Sequence, residues 1–351
     1  MIKLILPALL LLPACGDKDD DSGTTAGDDT ATDTVGADLP DYSLPGEFSP
    51  GTLSMEITGS TGVELTVQVW FPADAPGAET VVYDGLYAGN ATTDAIPTCD
   101  DARPVMVFSH GYGGVRWQSG FLVEHLASHG YIVVAPDHTY NTTFDNDDSR
   151  FEEVVVRRPQ DLADAFDWAV AQSEDASSVL SGCLDGAEGY AVSGHSFGGY
   201  TAYAAAGASL NLSGNSDLSD DRVWAAVPMA PWDVNGTITD GTADITVPLM
   251  CLSGTLDTTT SWDSVGSMFS AATATPRYLG EFPEAGHYSF SPIACDFGTT
   301  DNGCGEDYIA LDTFAGLVNT AVTAFLEESR GVTGAIGQLP DSGDVVWQMT
   351  E

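Results

Sequence analysis

Basic residues are scarce in this 351-residue sequence. It has 10 Lys and Arg against 52 Asp and Glu, which gives a formal net charge of -42 at pH 7. A surface this acidic repels the phosphates of nucleic acids and the headgroups of anionic lipids. Nucleic acid is therefore excluded as an expected partner. We interpret the charge as adaptation to salty surroundings; the alternative is an acidic recognition surface.

The usual metal-binding patterns are also missing. The sequence contains neither C-x-x-C nor H-E-x-x-H, so no zinc site is expected. The acidic loop Asp145-Asn146-Asp147-Asp148 lacks the glycine that an EF-hand needs at its sixth position, and we interpret it as solvated surface. We expect no cofactor and no metal.

The apolar run at the start of the chain is short. The first residues, MIKLILPALLLLPAC, could not span a bilayer and are typical of a secretory signal peptide. Leu12-Pro13-Ala14-Cys15 is similar to the lipobox of bacterial lipoproteins, in which the cysteine is lipidated. We expect a signal peptide over residues 1–15, a lipid on Cys15 and a position at the cell envelope or surface. The alternative is an ordinary signal peptide and a soluble secreted protein.

Apolar residues are few in the next segment. Residues 16–45 are mostly Asp, Gly, Thr, Ser and Ala, a composition that has too little to bury. The segment is predicted to be a disordered acidic tether between the membrane and a folded domain. The membrane would then be contacted only through the lipid anchor.

The sequence has six cysteines, and five remain when Cys15 is set aside, which is an odd number. In an oxidising compartment we expect disulfides and one unpaired thiol. Cys295 and Cys304 enclose the short loop DFGTTDNG and are the expected disulfide. Cys251 lies in the apolar run VPLMCLSG and is expected to be a buried thiol. Cys99 could pair with Cys183, but the sequence does not decide this.

Strand-like and helical patterns alternate from about residue 50. LSMEI and VELTVQVWF flank a Gly-rich turn and predict an antiparallel hairpin, and VMVFSH, WQSGFLVEHLASHG and YIVVAPDH predict a strand, a helix and a strand. Similar patterns follow. The predicted fold class is α/β, with a mostly parallel central sheet and helices on both faces. This domain is predicted over residues 46–330, followed by an irregular tail over residues 331–351.

The motif GHSFGG places Ser196 between a predicted strand, GYAVSG, and a run of small helix-compatible residues. A sharp turn from strand to helix is where a nucleophile elbow presents its serine, and the helix N-terminus favours developing negative charge. Gly194 and Gly198 would leave room for the neighbouring backbone. Ser196 is therefore the candidate nucleophile.

The base and the acid must follow such a serine along the chain. His287, in EFPEAGHYSF, is the one histidine after Ser196. Asp257, in LSGTLDTT, has the right position to orient its imidazole, and Asp233, in MAPWD, is the competing candidate. His195 is adjacent to the serine but is expected to point away from it.

An acyl-transfer site also needs donors for the oxyanion. The stretch FSHGYGG, residues 108–114, ends a predicted strand and offers backbone N–H groups flanked by glycines. One of these, with the N–H of the residue after the nucleophile, could complete an oxyanion hole. A phosphate-binding loop is the alternative, but no Walker pattern follows.

Taken together, the segments SHGYGG, LASHGYIVVAPDH, GHSFGG, MAPWD, LSGTLD and GHYSF carry a family resemblance. Over roughly residues 50–330 the chain resembles the dienelactone hydrolase-like branch of the α/β-hydrolases, especially platelet-activating-factor acetylhydrolases and bacterial cutinase-like polyester hydrolases. The resemblance implies the α/β-hydrolase fold. It also implies a nucleophile, an acid, a base and two oxyanion amides, which are Ser196, Asp257, His287, Tyr112 and Phe197 in that order.

By similarity to the polyester hydrolases, Trp232 would line the acyl or aromatic part of the cleft, with Tyr112 opposite. The alternative for Trp232 is packing in the core or at an interface. The cysteines depart from the usual pairing of those enzymes near the catalytic acid and base. The acidic surface would disfavour adsorption to anionic material, which argues against polymer hydrolysis.

The predicted function is a secreted or surface-tethered serine ester hydrolase that forms an acyl-enzyme. Its substrate would be a small-molecule, lipid or polymeric ester. A cutinase-like polyester hydrolase is one alternative. The others are a non-catalytic binding lipoprotein on the same fold and an amide hydrolase.

Overall fold

In the part of the chain that the structure describes, eleven strands form one sheet. The computed structural model describes residues 39–212 and 217–350. In chain order the strands are β1 (Ser49–Thr58), β2 (Glu64–Ala73), β3 (Glu79–Tyr83), β4 (Tyr87–Thr93), β5 (Val105–Ser109), β6 (Ile132–Pro136), β7 (Tyr190–His195), β8 (Val223–Met229), β9 (Leu249–Gly254), β10 (Arg277–Phe282) and β11 (Val346–Thr350). Their order across the sheet is β11-β10-β9-β8-β7-β5-β6-β2-β1-β4-β3.

The middle of the sheet is parallel. Strands β6, β5, β7, β8, β9 and β10 all run in the same direction. The hairpin of β1 and β2 joins this part through β2, which is antiparallel to β6. Strands β5, β6 and β7 are buried along their whole length, as expected of apolar strands that are covered on both faces.

Helices cover both faces of the sheet. They are α1 (Gly120–Ser128), α2 (Phe151–Glu174), α3 (Phe197–Ala205), α4 (Trp262–Ala271), α5 (Ile293–Asp296) and α6 (Leu311–Ser329). One core cluster joins α2, α3 and α4 to Val107 of β5, and a second joins α1 and α6 to Phe108 of the same strand. Successive strand residues therefore face opposite cores. The predicted α/β fold class, with its N-terminal hairpin, is confirmed.

Two predicted boundaries are wrong. Tyr42, assigned to the tether, is 2% exposed, and its N–H donates to Gln338 Oε1 at 3.1 Å. The described chain is therefore packed on the domain before residue 46. The tail after residue 330 is not wholly irregular, because β11 pairs antiparallel with β10 at the edge of the sheet. A single short strand after a Gly-rich segment carries too little periodicity to be recognised.

The predicted signal peptide, the predicted lipidation of Cys15 and most of the predicted tether lie outside the described residues. Among the helices of the described ranges, none has the length and apolar character that crossing a bilayer requires.

The cysteines beyond residue 38 form two disulfides and one thiol. Cys295 is bonded to Cys304, and Cys99 to Cys183. Cys251 is a buried free thiol, and burial raises its pKa to about 12. A thiol held in that state is a weak nucleophile.

The chain before β1 packs against two histidines of the first helical segment. His129 Nε2 lies 2.9 Å from the carbonyl oxygen of Leu44, and the rings of His125 and His129 have centroids 4.5 Å apart. Burial, and then the neighbouring His129, lowers the pKa of His125 from 6.5 to about 3.

Acid is therefore expected to destabilise this region. The pKa of His125 is depressed in the folded state, so its contribution is complete above pH 6.5 and is lost as the pH falls toward 3. For one such histidine the free energy of unfolding should drop by about 2 kcal/mol between pH 7 and pH 5. Urea unfolding at the two pH values measures this. Between pH 7 and pH 5, the free energy of unfolding of His125→Gln should fall by about 2 kcal/mol less than that of the unsubstituted protein. An equal drop in both proteins would contradict the assignment.

Candidate active site

Ser196 sits in a turn that only small neighbours allow. It connects β7 to α3 with φ 58° and ψ -114°, a strained backbone for a residue other than glycine. A Cβ on Gly198 would lie 1.9 Å from the carbonyl oxygen of Ser109, and one on Gly194 would lie 2.4 Å from that of Gly198. The two glycines therefore permit the close approach of β5, β7 and α3 that exposes the serine at the strand end.

Asp257 follows β9 and is held by three donors. Its Oδ1 accepts from the backbone N–H groups of Thr259, at 2.7 Å, and Thr260, at 2.8 Å. Its Oδ2 accepts from Thr260 Oγ1 at 2.8 Å. The carboxyl is almost fully buried among these donors.

His287 follows β10 and contacts this carboxylate. Its Nδ1 lies 2.8 Å from Asp257 Oδ2. Because both oxygens of Asp257 already accept from other donors, His287 Nδ1 is the donor in this bond. In the neutral imidazole, Nε2 then has a free lone pair. Asp233, the competing acid, instead accepts from the N–H of Ile238 at 2.7 Å. The structure thus brings His287 together with Asp257.

A cavity of about 620 Å³ lies above the strand ends and is lined by both Ser196 and His287. Tyr112, Phe144 and Phe297 also line it, and each of these side chains is at least 41% exposed. Among the described residues of its lining there is no Asp, Glu, Lys or Arg. The cavity therefore suits an uncharged, largely apolar ligand.

Two backbone amides, one of a cavity-lining residue and one next to Ser196, have no acceptor among the described residues. Within the described residues, no acceptor is recorded for the N–H of Tyr112 or for that of Phe197. Phe197 is the first residue of α3, and Tyr112 precedes Gly113, whose φ is 60°. These are the two amides that the resemblance assigns to the oxyanion.

A buried arginine supports both amide-bearing segments. Arg158 of α2 is fully buried; it donates to the carbonyl of His110 and, at 3.0 Å, to Ser109 Oγ. Its guanidinium also lies 4.4 Å from the centre of the Phe197 ring. Burial lowers the pKa of Arg158 to about 9. It fixes the turn after β5 against the start of α3, a role that the sequence did not reveal.

Comparison with known proteins shows the family to which the chain belongs. The model of a family described as PETase, PET hydrolase-like, matches residues 84–296, which include Ser196, Asp257 and His287. The chain belongs to the PET hydrolase-like family. The predicted resemblance to cutinase-like polyester hydrolases is thereby confirmed.

Individual relatives agree with this family. Cutinase est1 of Thermobifida alba is 34% identical over 209 residues, 59% of this chain and 60% of that protein. Cutinase 2 of Thermobifida cellulosilytica is 31% identical over 189 residues, 54% of this chain and 56% of that protein. The match thus spans 60% or less of the length of these two relatives. A ferulic acid esterase from Streptomyces cinnamoneus superposes with a TM-score of 0.65 and 22% identity, over 88% of this chain and 98% of its own, which supports the α/β-hydrolase fold.

In this PET hydrolase-like chain, Trp232 lies outside the lining of the cavity, whereas the candidate residues Tyr112 and Ser196 are part of it. It is half-buried, and its ring packs on Phe151 and Phe197, at centroid distances of 5.9 and 5.3 Å. It is not among the described residues that line the cavity with Ser196. The structure therefore favours packing, the alternative that the sequence left open, over a place in the cleft opposite Tyr112.

His195, which the sequence analysis expects to point away from the Ser196 side chain, also lines this cavity. The centroid of its ring is 4.5 Å from that of His287. Gln118 Oε1 accepts from the N–H of Gly111, so Gln118 Nε2 is the donor to His195 Nδ1 at 3.0 Å. His195 is therefore a neutral imidazole protonated on Nε2, and burial, then His287, holds its pKa well below the usual range.

Proposed function

We propose that this chain is a carboxylic ester hydrolase in which Ser196 is the nucleophile. The observation that carries the proposal is the hydrogen bond between His287 Nδ1 and Asp257, at the wall of the cavity that Ser196 also lines. Membership of the PET hydrolase-like family supports it, and so do relatives that are named cutinases.

Each group would have one role in the reaction. The free Nε2 of His287 takes the proton from Ser196 Oγ as the oxygen attacks the ester carbonyl carbon, and Asp257 stabilises the imidazolium that forms. The N–H groups of Tyr112 and Phe197 stabilise the oxyanion, since neither has an acceptor within residues 39–212 and 217–350. The imidazolium then protonates the leaving alcohol. Water, activated by the same imidazole, releases the acid from the acyl-enzyme.

The cavity favours uncharged esters. An anionic substrate would leave water for a site without a counter-charge, in a protein whose net charge is -42. Polyester is a second candidate substrate. It is favoured by the exposed apolar side chains around the cavity, Leu86, Phe144 and Phe297, which a polymer surface could cover.

The test compares p-nitrophenyl esters of graded chain length with the matching p-nitroanilides. We expect turnover of the esters with at most slow turnover of the anilides, and hydrolysis of a neutral polyester film only if the second candidate holds. Faster anilide cleavage would identify an amide hydrolase instead. If neither the unsubstituted protein nor Ser196→Ala turns over any of these substrates, the binding-protein alternative gains support.

Phe297 offers a prediction about substrate binding. Its side chain is 59% exposed at the cavity, so Phe297→Ala removes apolar area that a bound substrate would bury but little that folding buries. KM for long-chain esters should rise about tenfold, with kcat nearly unchanged. Val179→Ala, at a 65% exposed position outside that lining, is the control and should leave KM unchanged. Equal KM values in the two variants would exclude Phe297 from substrate binding.

We further propose that the protein is exported. Two disulfides fit an oxidising compartment, and the lipobox-like segment fits lipidation of Cys15 with residues 16–38 as a tether. The domain would then begin near residue 40. Fractionation of cells that express the full chain tests this: the unsubstituted protein should be in the membrane fraction and Cys15→Ala should not.

A further inference from the structure

A loop closed by a disulfide lies beside the acid and the base. The bond between Cys295 and Cys304 encloses residues 296–303. Phe297 and Thr299 of this loop line the cavity, whereas Asn302 is 7% exposed and packs on the other side of the loop. The loop therefore reaches both the substrate cavity and the residues around Asp257 and His287.

The side chain of Asn302 bonds to the segments that carry the acid and the base. Its Oδ1 accepts from the N–H of Thr258, at 3.0 Å, and from the N–H of His287, at 3.2 Å. Its Nδ2 donates to Thr259 Oγ1 at 2.8 Å. Because two N–H donors converge on one atom, that atom is the oxygen and the amide orientation is fixed.

The backbone of Asn302 adds to this contact. Its carbonyl accepts from the N–H of Tyr288 at 2.7 Å, and its φ is 50°, a conformation that asparagine tolerates better than most residues. A Cβ on Gly286 would lie 2.3 Å from the carbonyl carbon of Asn302. The loop is thus in close contact with the turn that begins at His287.

The segments that follow β9 and β10 are also bonded to each other directly, just before Asp257. The N–H of Leu256 donates to the carbonyl of Ala285 at 2.9 Å. Residues 258 and 259, beyond the acid, are bonded instead to Asn302. The backbone is therefore fixed on both sides of Asp257: by the bond to Ala285 before it and by the bonds to Asn302 after it.

We propose that Asn302 is a positioning residue: it bonds the backbone beyond Asp257 to the N–H of His287 and so holds the pair at its hydrogen-bonding distance. This proposal rests on the proposed function. A shift of about 1 Å in such a pair can cost about 100-fold in rate without weakening substrate binding, because the loss falls on the transition state.

The test compares three variants in the full chain. Asn302→Gly removes all three side-chain bonds and keeps the backbone conformation accessible. Thr259→Val removes only the acceptor of Asn302 Nδ2 and preserves shape. Asp301→Asn, at an exposed neighbouring position, is the control. Active serines are titrated with a fluorophosphonate, so that kcat refers to correctly folded protein, and the low-field proton NMR signal of the His287 Nδ1–H is recorded for each.

We expect kcat per titrated serine to fall about 10- to 100-fold in Asn302→Gly, with KM within twofold and the low-field signal broadened. Thr259→Val should show a smaller loss of the same kind, and Asp301→Asn none. An unchanged kcat per serine in Asn302→Gly would overturn the proposal. If that variant does not fold, an unchanged kcat in Thr259→Val does so.

A failure of the proposed function is distinguishable from a failure of this inference. In that case the unsubstituted protein would hydrolyse no ester, whatever residue stands at position 302. The NMR signal then decides alone: its loss in Asn302→Gly supports the positioning role, and its persistence contradicts it.

Discussion

Ser196→Ala should lower kcat for ester hydrolysis by about 10⁶-fold, and His287→Ala by a similar factor. The serine and the imidazole act as one unit, so the loss of either leaves only binding and the oxyanion donors. The double variant should therefore be no slower than either single variant. Steady-state kinetics with p-nitrophenyl butyrate, at concentrations above KM, measure this directly.

A matched serine separates catalysis from stability. Ser193 lies on β7, the strand that ends directly before Ser196. It is fully buried and donates from Oγ to the carbonyl of Val227 at 2.8 Å. Ser193→Ala should cost about 1 kcal/mol of stability and leave kcat unchanged. If Ser196→Ala kept more than about 1% of the activity, the nucleophile would have to be another group.

Gly198→Ala should have the largest effect on stability. Its Cβ would lie 1.9 Å from the carbonyl oxygen of Ser109 and 2.9 Å from that of His110, and backbone atoms cannot move aside as a flexible side chain can. We expect the free energy of unfolding to fall by about 3 kcal/mol or more, because β5 and α3 must separate. The Tm and the urea midpoint should fall together.

Gly266→Ala is the control for this substitution. Gly266 lies in α4, and a Cβ there would meet nothing within 4 Å. Alanine favours a helix interior over glycine, so this variant should be more stable by about 0.5 to 1 kcal/mol. Equal stabilities of the two variants would show that the turn has more room than the structure gives it.

Local patterns explain why much of the site could be predicted. GHSFGG couples a strand, a strained turn and a helix within a few residues, and the chain order left one histidine after Ser196. Asp257 and Asp233 both follow a predicted strand and both lie between Ser196 and His287, so chain order did not decide between them. The structure distinguishes the two aspartates, because Asp257 Oδ2 lies 2.8 Å from His287 Nδ1.

Long-range contacts explain what the sequence did not reveal. Asn302 bonds to Thr258 across 44 positions, and Arg158 reaches the carbonyl of His110 across 48. Neither contact leaves a periodic pattern or a motif. The bond from Gln118 that orients the ring of His195 also comes from a different segment.

The central claim is that Ser196 forms the acyl-enzyme. Intact-protein mass spectrometry after rapid acid quenching of a reaction with p-nitrophenyl butyrate tests it most directly, followed by peptide mapping. We predict one butyryl group per chain on the peptide that contains Ser196, and none in Ser196→Ala. Ester turnover with the acyl group on another residue, or with no acyl group at any quench time, would contradict the claim.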